Sequence, residues 1–398
     1  MKNLETVLGY LILVLAFSLS FNILEIDSAL IIIILLLSFI KAYKKVNTSE
    51  IKLFFKSFYP FLIFFLMLVI GLLYSDNLSK GFSVIERSLS FLVFPIIFYI
   101  NKNNKQVNFL PEAFTLGVIS TAVYCNLYQF VLYGSPFKYG FSKMLFPIEI
   151  DPTYFSMYIL MALIVCLSYL LKSHKKLTLP ISFVIIYLFY FILVLGSKSA
   201  LVVLIIILML FIAYFIKEKL SVKYFLLTPL VLGLLIVITY YNPLTYSRFY
   251  SPIINSDFDF YQFRLKFIGD RYYVWKCAIE NLNIPNILYG YGTGDEVNTM
   301  SPCYDKYRLK VHLNPHSIYF SSLLKLGIIG FIPFVLSISY GLWKNKGQKM
   351  FILFSIIIII MGLVESLFDR SKGIVFFCLF SSFFVMKTIN TVYLKQLK

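Results

Sequence analysis

The chain has 398 residues, of which 60% are hydrophobic and 14% charged, and a formal net charge of +17. A mean hydropathy of +0.83 exceeds what a soluble chain can cover with polar surface, so the length does not translate into two or three soluble domains. The lysines sit in short clusters between apolar runs and form no continuous stripe, which argues against a nucleic-acid partner despite the charge.

Taken in chain order, the apolar runs predict an all-α, polytopic integral membrane helical bundle of about 12 transmembrane helices. They fall roughly at 7–24, 28–43, 54–73, 86–100, 111–133, 152–171, 178–195, 199–216, 222–240, 316–341, 348–366 and 372–391. The first, about Val7–Phe21, lacks a small-x-small cleavage site and reads as a span rather than a signal peptide. The run at 86–100 is short and contains Pro95, which suggests a tilted or re-entrant segment. Spans 1–9 occupy 1–240, one large loop with a surface helix fills 241–315, and spans 10–12 occupy 316–398. No internal repeat is evident.

Counting Lys and Arg in the connections gives twenty on one side, from Lys2 and the Lys41–Lys56 cluster to Lys395 and Lys398. The short loops of the other side hold seven: Lys80, Arg87, Lys138, Lys143, Lys198, Arg370 and Lys372. The positive-inside rule then places both termini in the cytoplasm and the loop 241–315 outside, with His316 at the outer leaflet. The cytoplasmic connections are too short for a nucleotide-binding domain, and no GxxxxGK[ST] loop occurs. Gly290-Tyr291-Gly292-Thr293-Gly294 lacks strand–helix context and reads as a turn. Chemistry is therefore expected outside, on a substrate that arrives already activated. Of the five cysteines, Cys125, Cys166 and Cys378 fall in spans as packing residues. Cys277 and Cys303 share the outer loop, where a disulfide and two separate thiols both remain open.

The residue that best fits chemistry is His316, in Asn314-Pro315-His316-Ser317, where the polar loop meets span ten. Asn314 suits an N-cap and Pro315 the first helical position, which puts His316 in the first turn. The dipole there favours a neutral ring able to accept a proton, and the free N–H groups favour an anion. That combination suits attack of a hydroxyl on a phosphate-activated carbon, although an inert interfacial histidine fits the same pattern. His312 and His316 lie four apart, but Asn314 and Pro315 break the helix between them and no third ligand is evident, so no metal is expected.

Arg87, Lys198, Arg271 and Arg370, with Lys372, lie at span ends on the outer side and could converge on a diphosphate; snorkelling to lipid headgroups is the alternative. Arg271 starts a segment in which Val274, Trp275, Ala278, Ile279 and Leu282 share one helical face, so a helix lies on the membrane or on the bundle. Glu365, near the end of a span, is expected to pair with a cation such as Arg370 or Lys372. Lys325 falls within span ten, half a turn out of phase with His316 and so facing away from it. Gly327 and Gly330 permit close helix packing. Asp151-Pro152 reads as an N-cap with proline at the first position.

In order, Arg271…Trp275, Leu288-Tyr289-Gly290-Tyr291-Gly292, Asn314-Pro315-His316-Ser317-Ile318-Tyr319 and Leu326-Gly327-Ile328-Ile329-Gly330 resemble the O-antigen ligase and polymerase superfamily of envelope glycosyltransferases. Ser197-Lys198-Ser199 is similar to that family's Ser-Arg turn, and Asp151-Pro152-Thr153-Tyr154 to its His-Pro-Thr-Tyr motif. The resemblance implies transfer of a glycan from an undecaprenyl-diphosphate carrier to a lipid A core sugar, a growing polysaccharide or a protein hydroxyl. It implies His316 as base, Arg271 and Lys198 on the diphosphate, and no metal, nucleotide or other cofactor. Three positions depart from the family pattern: Ser317 stands for Asn, Lys198 for Arg, and Asp151 for His. Ligase activity on lipid A core leads, with polymerase or protein glycosylation as alternatives. A lipid-linked glycan transporter is a rival of another class, but it calls for matched halves with charges near the midplane, which are not seen.

Overall fold

The computed structural model describes residues 2–43, 47–171, 175–219, 233, 237, 239–254, 269, 271–309, 313–344 and 348–396. Every regular element among them is helical. The main helices begin with α1 (Lys2–Ser18), α2 (Leu24–Ala42), α3 (Thr48–Leu72), α4 (Leu78–Ser88), α5 (Ser90–Ile100), α6 (Leu110–Tyr133) and α7 (Pro152–Leu171). They continue with α8 (Lys175–Leu195), α9 (Lys198–Lys219), α10 (Arg271–Glu280), α11 (Glu296–Lys306), α12 (Ile318–Ile338), α13 (Lys349–Val364) and α14 (Ser371–Gln396).

Among the described residues, eight helical segments are long and apolar enough to cross a membrane: Asn3–Phe21, Thr48–Leu72, Leu78–Ile100, Gln106–Tyr133, Pro152–Leu170, Thr178–Leu195, Ile318–Ile338 and Ser371–Asn390. The apolar stretches of α9 and α13 are shorter, and α2 carries Glu25, Asp27 and Lys41. The expected span at 222–240 lies almost wholly outside the described residues. Large apolar side chains face outward, as in Ile32 at 58% and Phe183 at 65% exposure, which only a hydrocarbon environment makes favourable. The protein is an all-α integral membrane protein.

The expected short span at 86–100 is corrected: the helical segment starts at Leu78, breaks at Leu89 and runs on through Pro95. Helix starts follow side-chain chemistry. Asn47 and Asn77 accept from the N–H of Glu50 and Lys80, and Asp151 accepts from Thr153 N ahead of a proline-started α7.

The chain forms two compact units. One comprises Met1–Leu19, Ile23–Leu110 and Asp270–Lys398 and contains α1–α5 and α10–α14. Its core is aromatic: Phe64 meets Phe91 edge-on at 5.2 Å, Phe91 meets Phe368 at 5.5 Å, and Phe368 meets Phe377 at 5.0 Å. The other, Ser20–Asn22 with Pro111–Gly269, centres on α7, whose Phe155 and Tyr158 are fully buried and whose neighbour α8 supplies Phe191.

Candidate functional site

The site is built on a broken span. Within α12, Gly327 takes φ 58°, ψ −165°, a conformation that interrupts the helical ladder and that residues with a Cβ rarely adopt. Backbone groups freed inside a membrane must find partners. Here Tyr291 N donates to Leu324 O at 2.7 Å and Gly292 N to Lys325 O at 3.0 Å. Gly290, also at positive φ, lies against the backbone of Lys325 and Leu326, while Gly327 lies against the backbone of Leu288 and Tyr289. The two glycine motifs are therefore halves of one joint, in which any Cβ would strike main chain. Gly327 thus permits a close approach, as expected, but at a break in the helix rather than along an intact one. The following residues pin the loop to the α3–α4 turn, where Asp295 accepts from Ser75 Oγ and from the N–H groups of Asp76 and Asn77.

Beyond the joint, α10 and α11 form a small platform. Cys277 and Cys303 are disulfide-bonded, deciding the alternative left open by the sequence. Val274, Cys277, Ala278, Met300 and Tyr304 pack with Leu324 of α12. Ile279 is 59% exposed, so the buried stripe is rotated from the one expected, and the helix rests on α11 and α12. Trp275 packs at the edge of this cluster with its Nε1 buried and unpartnered. The Tyr304 hydroxyl donates to Leu313 O at 2.7 Å and ties α11 to the segment that leads into His316.

His316 does not sit in the first turn of α12. The helix begins at Ile318, Ser317 occupies the cap position without a side-chain capping bond, and His316 adopts φ 46°. Left-handed backbone outside glycine is uncommon and clusters at functional sites. Two contacts hold it. Asn314 Oδ1 accepts from His316 N at 3.3 Å, and Ser317 N donates to Ser366 Oγ at 3.1 Å. Asn314 thus braces the turn and is not the N-cap.

Glu365 stands directly across from this turn. α13 ends at Val364, and Glu365 is extended and 8% exposed. One carboxylate oxygen lies 3.5 Å from His316 Nδ1 and the other 3.5 Å from Arg271 Nη2. The expected partner of Glu365 was Arg370 or Lys372; the cation is Arg271, ninety-four residues earlier in the chain. His316 Nδ1 is buried and has no other partner, so closing about 0.6 Å would make a normal hydrogen bond to Glu365. A carboxylate on the Nδ1 side favours the tautomer with its proton there, which leaves the Nε2 lone pair free to accept another.

A second charge cluster lies below, and the sequence reading did not find it. Lys325 Nζ meets Asp369 Oδ1 at 2.6 Å and Glu296 Oε2 at 2.8 Å, with Ser321 Oγ at 2.9 Å. All three ionic side chains are at most 14% exposed. Lys325 was expected to face away from His316, but it meets the same turn that carries Glu365, the carboxylate across from His316. Burial, and after it the Asp369 carboxylate, push Glu296 above the ordinary glutamate range against the pull of Lys325.

The remaining candidates are placed as follows. Arg87 lies in the last turn of α4, which packs on residues 367–369, and its Nε is buried and unpartnered. Arg370 is exposed. Lys198 opens α9 in the other unit, after Gly196 at φ 62°. His312 lies outside the described residues.

Residues 183–335 match the family model described as O-antigen ligase. This segment is similar to O-antigen ligases. Comparison with curated proteins gives no match. The matched segment includes Lys198, Arg271, the glycine joint, His316 and Lys325, whereas Arg87, Glu365, Asp369 and Arg370 come from outside it. Members of the O-antigen ligase family are ligases or polymerases of glycosyltransferase type.

Proposed function

We propose that the chain transfers a glycan from an undecaprenyl-diphosphate carrier to an acceptor hydroxyl at the periplasmic face of the inner membrane. The observation that carries this reading is the Glu365 carboxylate placed between His316 and Arg271. With Glu365 fixing Nδ1, His316 Nε2 takes the proton of the acceptor hydroxyl as its oxygen attacks the anomeric carbon. The bond from that carbon to the phosphate oxygen breaks, and the diphosphate leaves with the electron pair. Arg271 uses one guanidinium nitrogen toward Glu365 and keeps further N–H donors for the departing phosphate oxygens. Arg87 and the exposed Arg370 supply additional positive charge at this end of the first unit. The role of Lys198 on the diphosphate rests on the family resemblance alone.

Two independent features support the outward orientation: the excess of lysines on the opposite side, and a disulfide, which needs an oxidising compartment to form. Ligase and polymerase share this chemistry and differ only in acceptor; the single large outer loop favours lipid A core as acceptor.

The test uses cells that carry His316→Ala in place of the native chain. Loss of surface polysaccharide with glycan retained on carrier lipid is expected, and normal polysaccharide with normal carrier turnover would overturn the reading. In a deletion strain, long glycans on carrier lipid indicate a ligase, and single repeat units on lipid A core indicate a polymerase.

A further inference from the structure

Lys325 is a lysine buried inside a membrane span, seven residues or about 10 Å along α12 from its first residue. An ammonium there is costly unless it is fully paired. Two carboxylates pair it, and they come from different places. Glu296 is the first residue of α11, the helix disulfide-bonded to α10 and hence to the start of the segment bearing Arg271. Asp369 lies four residues past Glu365 in the turn between α13 and α14. One ammonium therefore joins α11, which the disulfide staples to the helix that carries Arg271, to the turn that carries Glu365.

The turn needs such an anchor. No helical ladder fixes Glu365, because α13 ends before it and both Glu365 and Arg370 are extended. Ser366 accepts from Ser317 N, Phe368 enters the aromatic stack, and Asp369 provides the ionic anchor. The cluster also holds two carboxylates for one ammonium, with Glu296 Oε1 and Asp369 Oδ2 buried and unpartnered. Removing the ammonium takes away the shared counter-charge of two buried carboxylates, and burial with the Asp369 carboxylate already pushes Glu296 above its ordinary range, so the ionic link between α11 and the turn is lost.

We propose that Lys325, acting through Glu296 and Asp369, is a positioning residue that sets Glu365 against His316 for the transfer reaction. The inference rests on the glycan-transfer reading above and adds the device that aligns its base.

The experiment is a kinetic double-mutant cycle on the purified full-length protein, with lipid-linked glycan extracted from cells lacking the chain as donor. Thermal melting and a monodisperse elution profile establish folding for each variant. Glu365→Gln and Lys325→Met are each expected to lower kcat about tenfold with donor KM within about twofold of wild type. The double variant is expected to fall no more than about twofold below the worse single variant, because both changes remove the same alignment. A merely structural lysine would not show that convergence. Should Lys325→Met fail to fold, Asp369→Asn decides. It keeps the shape and the Lys325–Glu296 pair but removes the ionic anchor of the turn, and is expected to lower kcat about threefold, again without adding to Glu365→Gln. A folded Lys325→Met, or in its place Asp369→Asn, with wild-type kcat or with a loss that multiplies fully with that of Glu365→Gln overturns the inference and leaves the reading of the site intact. A silent Glu365→Gln overturns both.

Discussion

The two ends of the first unit hold their charges differently. At one end Lys325, Glu296 and Asp369 are 8%, 6% and 14% exposed. At the other end of the same spans Lys102 pairs with Glu50, with side chains 18% and 36% exposed, and Lys41 lies 3.6 Å from Glu5 at 17% and 39%. α3 alone separates the two ends by about 37 Å at 1.5 Å per residue. Solvated pairs of the second kind contribute roughly 0–1 kcal/mol, whereas breaking a buried pair costs several times as much because a charge is left uncompensated. The contrast teaches where charge is incidental and where the fold is committed to it: the committed cluster lies beside His316.

The comparison can be broken most forcefully at Lys325. Lys325→Met is expected to destabilise the protein by about 3–5 kcal/mol, read from a denaturant or thermal melt in detergent. A loss below about 1 kcal/mol would make the two ends equivalent. Next comes the staple of the platform. Cys277→Ser with Cys303→Ser opens a loop of sequence separation 26, for which chain entropy gives about 3.5 kcal/mol. The expected melt is lower by that order, and transfer activity falls as α10 and Arg271 lose their fixed place. Unchanged activity in the double serine variant would show that Arg271 does not depend on the staple. The smallest effect belongs to Glu50→Gln at the far end, below about 1 kcal/mol after allowance for solvent screening, with transfer unchanged.

Much of this was legible in the sequence, and the misreadings have physical causes. The all-α membrane class followed from apolar run lengths, because a bilayer leaves a chain few ways to satisfy its backbone. His316 stood out because the loop meets a span there, yet its exact backbone did not, since Ser366, forty-nine residues away, captures Ser317 N and delays the helix to Ile318. Glu365 was read as a paired carboxylate, but sequence neighbours suggested Arg370 while the fold delivers Arg271. Helical phase placed Lys325 off the histidine face and could not show that it meets Asp369 in the turn that carries Glu365. A lysine within an otherwise apolar span was the signal that could have found the cluster. The glycines were noticed singly; that Gly290 and Gly327 face one another is a tertiary fact, visible only once Tyr291 and Gly292 donate into the broken span.

The central claim is that His316, aligned by Glu365, accepts the acceptor proton. Its most direct test is the single-turnover rate of donor consumption by purified His316→Ala, compared with wild type at equal disulfide content and equal melting temperature. The account predicts a fall of at least about a hundredfold with donor binding retained. A rate within about twofold of wild type would contradict it.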